Sequence, residues 1–157
     1  MDLVSSVSIA LRNRSLMMAT AESCTGGLIA KLMTDLAGSS DVFERGFVTY
    51  SNQAKMDLLH VSEDILTRYG AVSEQTALHM ATGALQNSQA HIAVSVTGIA
   101  GPGGGTDEKP VGLVYIGYAQ KGKNPFAMEY HFSGSRTEIR ENTAKAALTL
   151  ILKELGG

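Results

Sequence analysis

The sequence predicts a single α/β domain over residues 1–157, a three-layer α/β/α sandwich with a mixed β-sheet. Short apolar runs typical of buried strands alternate with segments whose apolar residues recur every three or four positions, as in amphipathic helices. A short polar turn separates the last two strand-like runs, which favours an antiparallel hairpin and therefore a sheet of mixed direction. With 157 residues, of which 44% are hydrophobic, the chain can bury one sizeable core.

Six segments are predicted as helices from their apolar periodicity or their capping residues. In the first, Val4, Val7 and Leu11 stand three and four positions apart and define one buried face. The last opens with Ser135 and Glu138 in the spacing of a capping box, followed by apolar residues at helical intervals. The predicted helices cover residues 2–13, 25–35, 52–59, 63–69, 73–86 and 135–155.

Five segments rich in β-branched, aromatic or other apolar residues are predicted as strands. They cover residues 16–21, 43–51, 91–98, 111–120 and 126–133. In α/β sandwiches, ligands tend to bind at the carboxyl ends of strands, where loops lead into helices. We therefore expect the functional residues in the loops that follow the strands.

Composition narrows the classes of partner. The net charge of −2 and the lack of a dense Lys or Arg run predict that the chain does not bind nucleic acid. One cysteine cannot form an internal disulfide, and the first residues lack the basic head and apolar core of a signal peptide. No apolar run is long enough to span a bilayer, so we expect a cytoplasmic protein without a membrane partner.

The stretch SCTGG at residues 23–27 joins the first predicted strand to the second helix. Ser23 or Thr25 can cap that helix, because a short hydroxyl side chain accepts a hydrogen bond from the first-turn amides. A cap needs one hydroxyl, whereas this stretch adds a second hydroxyl, a thiol and two glycines that permit close backbone approach. A plain helix start and a reactive turn both remain open from this stretch.

The most unusual segment is the glycine-rich loop, residues 97–112, in which six of sixteen residues are glycine. Ordering so many glycines costs backbone entropy, and such loops often let main-chain amides face an anion or a ring. The loop matches neither the phosphate-loop pattern nor the dinucleotide-binding fingerprint. Lys109 and Pro110 give it a charged and fixed edge, which favours ligand binding over a plain surface loop.

Tyr50 and Lys55 lie near the junction of the second strand with the third helix, where they can be an ordinary surface pair. A lysine whose pKa is lowered by burial, however, can act as a general base toward a serine hydroxyl, with a tyrosine relaying the proton. Cys24 is the competing nucleophile, but a cysteine enzyme is expected to use a histidine, and no histidine lies in a motif with it. The four histidines and the cysteine also lack metal-ligand spacing.

Five segments carry a specific resemblance that covers nearly the whole chain in one order. They are AESCTGG at 21–27, AGSSDVFERGFVTYSNQAK at 37–55, GAVSEQT at 70–76, VTGIAGPGGGTDEKPVG at 96–112 and FSGSR at 132–136. Together they resemble the C-terminal domain of the CinA family of competence/damage-inducible proteins. Stand-alone members of that family are nicotinamide-nucleotide amidases, and longer members carry an additional N-terminal domain.

The resemblance implies that the carboxamide of nicotinamide mononucleotide is hydrolysed to nicotinic acid mononucleotide and ammonia, without a metal or another cofactor. Carried onto this chain, it makes Ser23 the nucleophile and Lys55 the base that accepts its proton. Tyr50 is then the residue that assists proton transfer to the leaving ammonia. Glu22, next to the serine, is a candidate to orient Lys55.

Substrate binding is expected to use both the helix start and the loops. Free amides of Thr25 and Gly26 at the start of the second helix are predicted to stabilise the oxyanion. The predicted substrate-binding residues are Thr25, Gly26, Asn52, Gly98, Gly101, Gly105, Lys109 and Arg136.

A 5′-phosphate also needs a binding site, and the segment FSGSR predicts one. Ser133, Gly134 and Ser135 precede the last helix, whose first amides and dipole favour an anion. Arg136 falls in the first turn, where a cation is unfavourable unless a negative partner offsets it. We predict that Arg136 binds the phosphate, with Lys109 as the next candidate; the alternative is a solvated surface arginine.

The resemblance further implies a homodimer with a small-molecule nucleotide substrate. A non-catalytic nucleotide-sensing or interaction domain is the competing interpretation, because the family is named for competence and the damage response. In that case the glycine-rich loop would still bind a nucleotide, but Ser23, Tyr50 and Lys55 would have no catalytic role. The joint presence of these three residues favours the amidase.

Overall fold

The computed structural model describes residues 1–156, which form six α-helices, one short 3-10 helix and five strands. The helices are α1 Leu3–Asn13, α2 Leu28–Thr34, α3 Asn52–Leu59, α4 Glu63–Tyr69, α5 Glu74–Gln86 and α6 Arg136–Glu154. The strands are β1 Met18–Glu22, β2 Phe43–Val48, β3 Ile92–Gly98, β4 Leu113–Gln120 and β5 Phe126–His131. The 3-10 turn, Ser39–Asp41, precedes β2.

The five strands form one mixed sheet in the order β2-β1-β3-β4-β5. Strand β1 runs parallel to both β2 and β3, whereas β4 is antiparallel to β3 and β5. The predicted fold class and the predicted hairpin of the last two strands are therefore confirmed. Because β1, β2 and β3 point the same way, their carboxyl ends meet at one edge of the sheet. The homodimer implied by the resemblance stays a prediction.

Two apolar cores separate the sheet from its helices. One contains residues of α1, α2 and α6 together with Val94 and Ile116, and the other packs α5 against Ala93. The second layer lies very close to the sheet: Ser95 donates a hydrogen bond of 2.6 Å to the Ala77 carbonyl of α5. A Cβ at Gly117 would overlap that carbonyl, so glycine is required there.

The first strand-to-helix junction differs from the predicted bounds. Strand β1 continues through Glu22, and α2 begins only at Leu28 instead of at residue 25. Gly26 and Gly27 have φ values of 60° and 105°, so residues 23–27 form a turn that favours glycine. Strand β2 ends at Val48, three residues before the predicted end. Ser51 caps α3 instead, because its side chain accepts a hydrogen bond from the amide of Ala54 in that helix.

Helix α6 begins as predicted. The Ser135 hydroxyl accepts from the Glu138 amide, and the Glu138 carboxylate accepts from the Ser135 amide, which confirms the capping box. Although α6 is 19 residues long, neither it nor another helix within residues 1–156 has an apolar stretch sufficient to cross a membrane.

Candidate active site

A pocket of about 210 Å³ opens at the carboxyl ends of the parallel strands. Ser23 follows β1, the Thr97–Gly98 pair ends β3, and Lys55 lies on the helix that follows β2. The pocket lining includes Ser23, Tyr50, Lys55, Thr97, Gly98 and Arg136. Residues far apart in the sequence thus meet where the fold class predicts a ligand site.

Ser23 and Lys55 are in direct contact in this pocket. The Lys55 Nζ lies 2.9 Å from the Ser23 Oγ and donates to the main-chain oxygens of Thr49 at 2.8 Å and Tyr50 at 3.3 Å. Lys55 is only 1% exposed, and its burial lowers its pKa from 10.5 to about 8. A fraction of the Lys55 amines is therefore neutral near neutral pH, as a general base requires.

The three oxygens around the Lys55 Nζ suit both protonation states. An ammonium has three N–H groups, one for each oxygen, whereas a neutral amine has two N–H groups and a lone pair. Since main-chain carbonyls can only accept, the neutral amine donates to Thr49 and Tyr50, and its lone pair faces the Ser23 hydroxyl. The geometry thus fits a base that takes the serine proton without moving.

The cap of α2 comes from Glu22, the last residue of β1. Its buried carboxylate accepts from the Thr25 hydroxyl at 2.6 Å and from the amides of Ile29 and Ala30 at 2.9 and 3.0 Å. Of the two alternatives that the sequence left open, the plain helix cap by Ser23 or Thr25 is not formed, because Glu22 already occupies the first-turn amides. Glu22 was also a candidate to orient Lys55, but its carboxylate faces α2 and makes no hydrogen bond with the lysine.

The amides of the 23–27 turn differ in their availability. The Ser23 amide extends the sheet by donating to Val96, and the Gly26 amide donates to the Ser23 carbonyl at 3.1 Å. The expectation of a free Gly26 amide is therefore wrong. Among the hydrogen bonds within residues 1–156, none is donated by the amides of Cys24 or Thr25. The Gly27 amide likewise donates none, so the unengaged N–H groups of the turn are those of Cys24 and Thr25, which directly follow Ser23, and that of Gly27.

Cys24 has the surroundings of an unreactive thiol. It is 6% exposed, and burial raises its pKa to about 11, so the thiol stays protonated near neutral pH. The histidines are engaged elsewhere or lie outside the pocket: the His91 Nδ1 accepts from the Met17 amide, and His131 pairs with Glu129. Within residues 1–156, no three His, Cys, Asp or Glu side chains are close enough together to hold a metal ion.

Tyr50 and Arg136 meet at the mouth of the pocket. The Arg136 guanidinium donates to the Tyr50 hydroxyl at 3.2 Å and to the Gly101 carbonyl at 2.9 Å. The Tyr50 side chain is 62% exposed, and its contact with Lys55 is made by its main-chain oxygen, not by its phenol. The amide of Ser135, expected to be free for a phosphate, is instead engaged by Glu138.

The side chains of the other predicted binding residues do not line the pocket. Thr25 is fully buried and donates its hydroxyl to Glu22, and Asn52 lines a separate groove between α3 and α4. Lys109 donates to the Tyr69 carbonyl at 2.7 Å and, like Gly105, is not part of the pocket lining. Of the eight predicted binding residues, Gly98 and Arg136 line the pocket. Gly101 does not line it, but its carbonyl accepts a hydrogen bond from Arg136.

Two residues of the site were not singled out from the sequence. Thr97 lines the pocket and donates its hydroxyl to the Ala71 carbonyl at 2.8 Å; its place at the end of a strand was a usable signal. Arg140, on α6, donates to the carbonyls of Cys24 and Thr25. No sequence signal indicates this contact, because more than a hundred residues separate Arg140 from Cys24 and Thr25.

A buried serine–lysine pair at the carboxyl edge of an α/β/α sandwich defines the chain as an α/β domain with a candidate acyl-transfer site. The family model for the CinA C-terminal domain matches residues 1–155, and the chain belongs to this family.

Relatives of two lengths match the chain. It is 52% identical over 148 residues to the nicotinamide-nucleotide amidohydrolase PncC of Enterobacter agglomerans, covering 94% of this chain and 90% of that protein. It is 51% identical over 145 residues to a CinA-like protein of Syntrophobacter fumaroxidans, covering 92% of this chain but only 34% of the relative. The chain likewise spans about a third of the length of other long curated relatives.

A solved structure has the same fold. The crystal structure of the competence/damage inducible protein CihA from Agrobacterium tumefaciens superimposes with a TM-score of 0.94 at 51% identity. The match covers 99% of this chain and 94% of that one.

Proposed function

We propose that this protein is an amidase that hydrolyses the carboxamide of nicotinamide mononucleotide to nicotinic acid mononucleotide and ammonia. The observation that carries the proposal is the 2.9 Å contact between the Ser23 Oγ and a buried lysine whose pKa is lowered to about 8. The substrate is suggested by the name of a relative with similar length and 52% identity, the nicotinamide-nucleotide amidohydrolase PncC.

In the first half of the proposed reaction, the neutral Lys55 amine accepts the Ser23 hydroxyl proton while the Oγ attacks the carboxamide carbon. The carbonyl oxygen gains the negative charge, and the amides of Cys24 and Thr25 stabilise it. The intermediate collapses when the amide nitrogen receives the proton from the Lys55 ammonium, with Tyr50 assisting the transfer. Ammonia leaves, and the nicotinoyl group stays attached to Ser23 as an ester.

In the second half, a water molecule replaces ammonia. Lys55 accepts a proton from this water, and the resulting hydroxide attacks the ester carbon. Collapse of the second intermediate returns the proton to the Ser23 Oγ and releases the carboxylate product. None of these steps requires a metal or another cofactor.

The test is incubation of the purified protein with nicotinamide mononucleotide, with ammonia and the carboxylate product measured together. Ser23→Ala should lower kcat by about a thousandfold or more, because the nucleophile is lost. Cys24→Ala is the matched control, since it removes the neighbouring pocket thiol and should keep most of the activity.

Two results would overturn the proposal in different ways. Near-normal activity in Ser23→Ala combined with loss in Cys24→Ala would move the nucleophile to the thiol. Absence of ammonia from the wild-type protein, together with tight binding of the nucleotide, would indicate the sensing domain instead.

A further inference from the structure

Arg140 connects α6 to the turn that carries Ser23. Its Nε donates to the Cys24 carbonyl at 3.0 Å, and its Nη2 donates to the Thr25 carbonyl at 2.9 Å. The side chain is half-buried and lies one helical turn after Arg136, yet it is not part of the pocket lining. Its hydrogen bonds are made to the turn that carries Ser23.

The direction of these two carbonyls fixes the direction of the amides. A peptide unit is planar and trans, so its N–H points away from its C=O. When Arg140 holds the Cys24 carbonyl on the α6 side, the Thr25 N–H of the same peptide unit points to the opposite side. Thr25 is fully buried, and its amide donates no hydrogen bond within residues 1–156. A buried amide without a partner is rare, which indicates that this turn reserves a donor.

The 23–27 turn needs a contact from outside the turn to hold one conformation, because its two glycines allow several backbone conformations. Gly26 and Gly27 adopt positive φ values without steric cost, so the turn has alternative conformations in which the carbonyls can rotate. A carbonyl oxygen rotated toward the pocket would repel a developing oxyanion. A Cβ on Gly26 would lie 3.1 Å from the Arg140 Nη2, so this glycine also leaves room for the guanidinium.

We propose that Arg140 is a positioning residue that holds the 23–27 turn in the conformation that stabilises the oxyanion. It fixes the carbonyls of Cys24 and Thr25 toward α6 by charge-assisted hydrogen bonds, which leaves the Thr25 N–H, on the same peptide unit as the Cys24 carbonyl, as a donor. The guanidinium also polarises the Cys24–Thr25 peptide unit, which strengthens the Thr25 N–H as a donor. The proposal rests on the proposed amidase function.

The experiment compares Arg140→Met and Arg140→Lys with Arg14→Met. Arg14 is the matched control because it also donates to a main-chain carbonyl, that of Ala10, at 2.9 Å, but outside the pocket. For nicotinamide mononucleotide, Arg140→Met should lower kcat by about tenfold to a hundredfold, somewhat less than the outright loss of an oxyanion donor. KM should change by less than about threefold, because Arg140 acts on the transition state and not on substrate binding.

Two further readouts separate positioning from a general effect on folding. The apparent pKa of the kcat/KM profile should stay near that of the wild type, because the Lys55 contacts are unchanged. Arg140→Lys should recover part of the rate, and guanidinium ion added to Arg140→Ala should recover part as well. Unchanged kcat in Arg140→Met, or a loss that tracks the fraction of folded protein, would overturn the proposal; if the Met variant does not fold, the kcat of the Lys variant decides.

Labelling of Ser23 by a fluorophosphonate distinguishes this proposal from the proposed function. In that reaction the Ser23 Oγ bonds to phosphorus, fluoride leaves and Lys55 takes the proton, while the phosphoryl oxygen uses the same donors. Slower labelling of Arg140→Met than of Arg14→Met supports the positioning role even if nicotinamide mononucleotide is not the substrate. Equal labelling rates would refute the role even if the wild-type amidase is active.

Discussion

Lys55 is a residue whose reactivity follows from its place in the fold. Burial beside Ser23 lowers its pKa to about 8, and the neutral form is the one that can act as a base. We therefore predict that kcat/KM rises about tenfold per pH unit below pH 8 and levels off above it. A pH–rate profile of the wild-type protein measures this directly.

The matched variant for that profile is Lys55→Arg. Its guanidinium keeps the charge but does not lose a proton in the accessible range, so it should be nearly inactive at every pH. An active arginine variant, or a wild-type profile that is flat between pH 6 and pH 9, would remove Lys55 from the role of base.

The predicted role of Arg136 in phosphate binding can be tested by comparing substrates with and without a phosphate. It lines the Ser23 pocket and uses two of its donors on Tyr50 and Gly101, which leaves other N–H groups for a phosphate. We predict that Arg136→Ala lowers kcat/KM for the mononucleotide by about tenfold to a hundredfold, the worth of a charge-assisted hydrogen bond. The riboside, which has no phosphate, should be affected far less.

Tyr50→Phe is the control for the Arg136 experiment, because it removes the hydroxyl that Arg136 contacts and leaves the charge in place. It should lower kcat/KM for the mononucleotide and the riboside to a similar extent. Equal losses on both substrates in Arg136→Ala would mean that Arg136 acts by holding Tyr50 or the glycine-rich loop, and that the phosphate binds elsewhere.

At the scale of an element, α2 depends on a carboxylate from the preceding strand. Glu22 accepts from the Thr25 hydroxyl and from the amides of Ile29 and Ala30, all in buried surroundings. Glu22→Gln places an NH₂ group against one of these donors, so we predict a loss of about 1 to 3 kcal/mol in the free energy of unfolding. Urea denaturation measures it, and Thr34→Ala, at the exposed end of the same helix, should cost much less.

The secondary-structure elements were predictable from the sequence, whereas several side-chain contacts between them were not. Periodicity and caps predicted all six helices and the hairpin, because apolar spacing determines which face of an element is buried. The pairing of Ser23 with Lys55 was implied by the resemblance to the CinA family, and both residues line one pocket at the edge of the sheet. The sequence patterns could not show that Glu22 turns toward α2, that Lys109 reaches Tyr69 or that Arg140 reaches the 23–27 turn. Side-chain direction at such positions depends on tertiary neighbours, which local spacing does not contain.

The fold as a whole buries Lys55 and so lowers its pKa, and this should be visible in the pH dependence of stability. Lys55 has a pKa of about 8 when folded and its ordinary value of 10.5 when unfolded. Between these two values the unfolded chain binds more protons than the folded one, so the free energy of unfolding should rise with pH across this window. Below pH 8 the cost of burying the charge is present in full, and above pH 10.5 it is gone.

Cys24 has the opposite effect on the pH dependence of the free energy of unfolding. Its pKa is raised from 9.0 to about 11 in the folded protein, so between these values the unfolded chain loses its thiol proton first, and stability falls as pH rises. The sum of the two effects can therefore be flat above pH 9. A comparison with a variant that lacks only the lysine removes the cysteine contribution except for the small part that the Lys55 charge makes to the Cys24 pKa.

We therefore predict that the free energy of unfolding of Lys55→Met, relative to the wild type, falls by up to about 3 kcal/mol between pH 8 and pH 10.5. The wild type is relieved of its buried charge over this range, whereas methionine has no charge to lose. Urea denaturation of both proteins at several pH values gives the difference directly, with Lys31→Met as the exposed control, whose difference from the wild type should change little. A difference independent of pH would mean that the folded Lys55 keeps an ordinary pKa, and the base would then have to be sought in another group of the pocket.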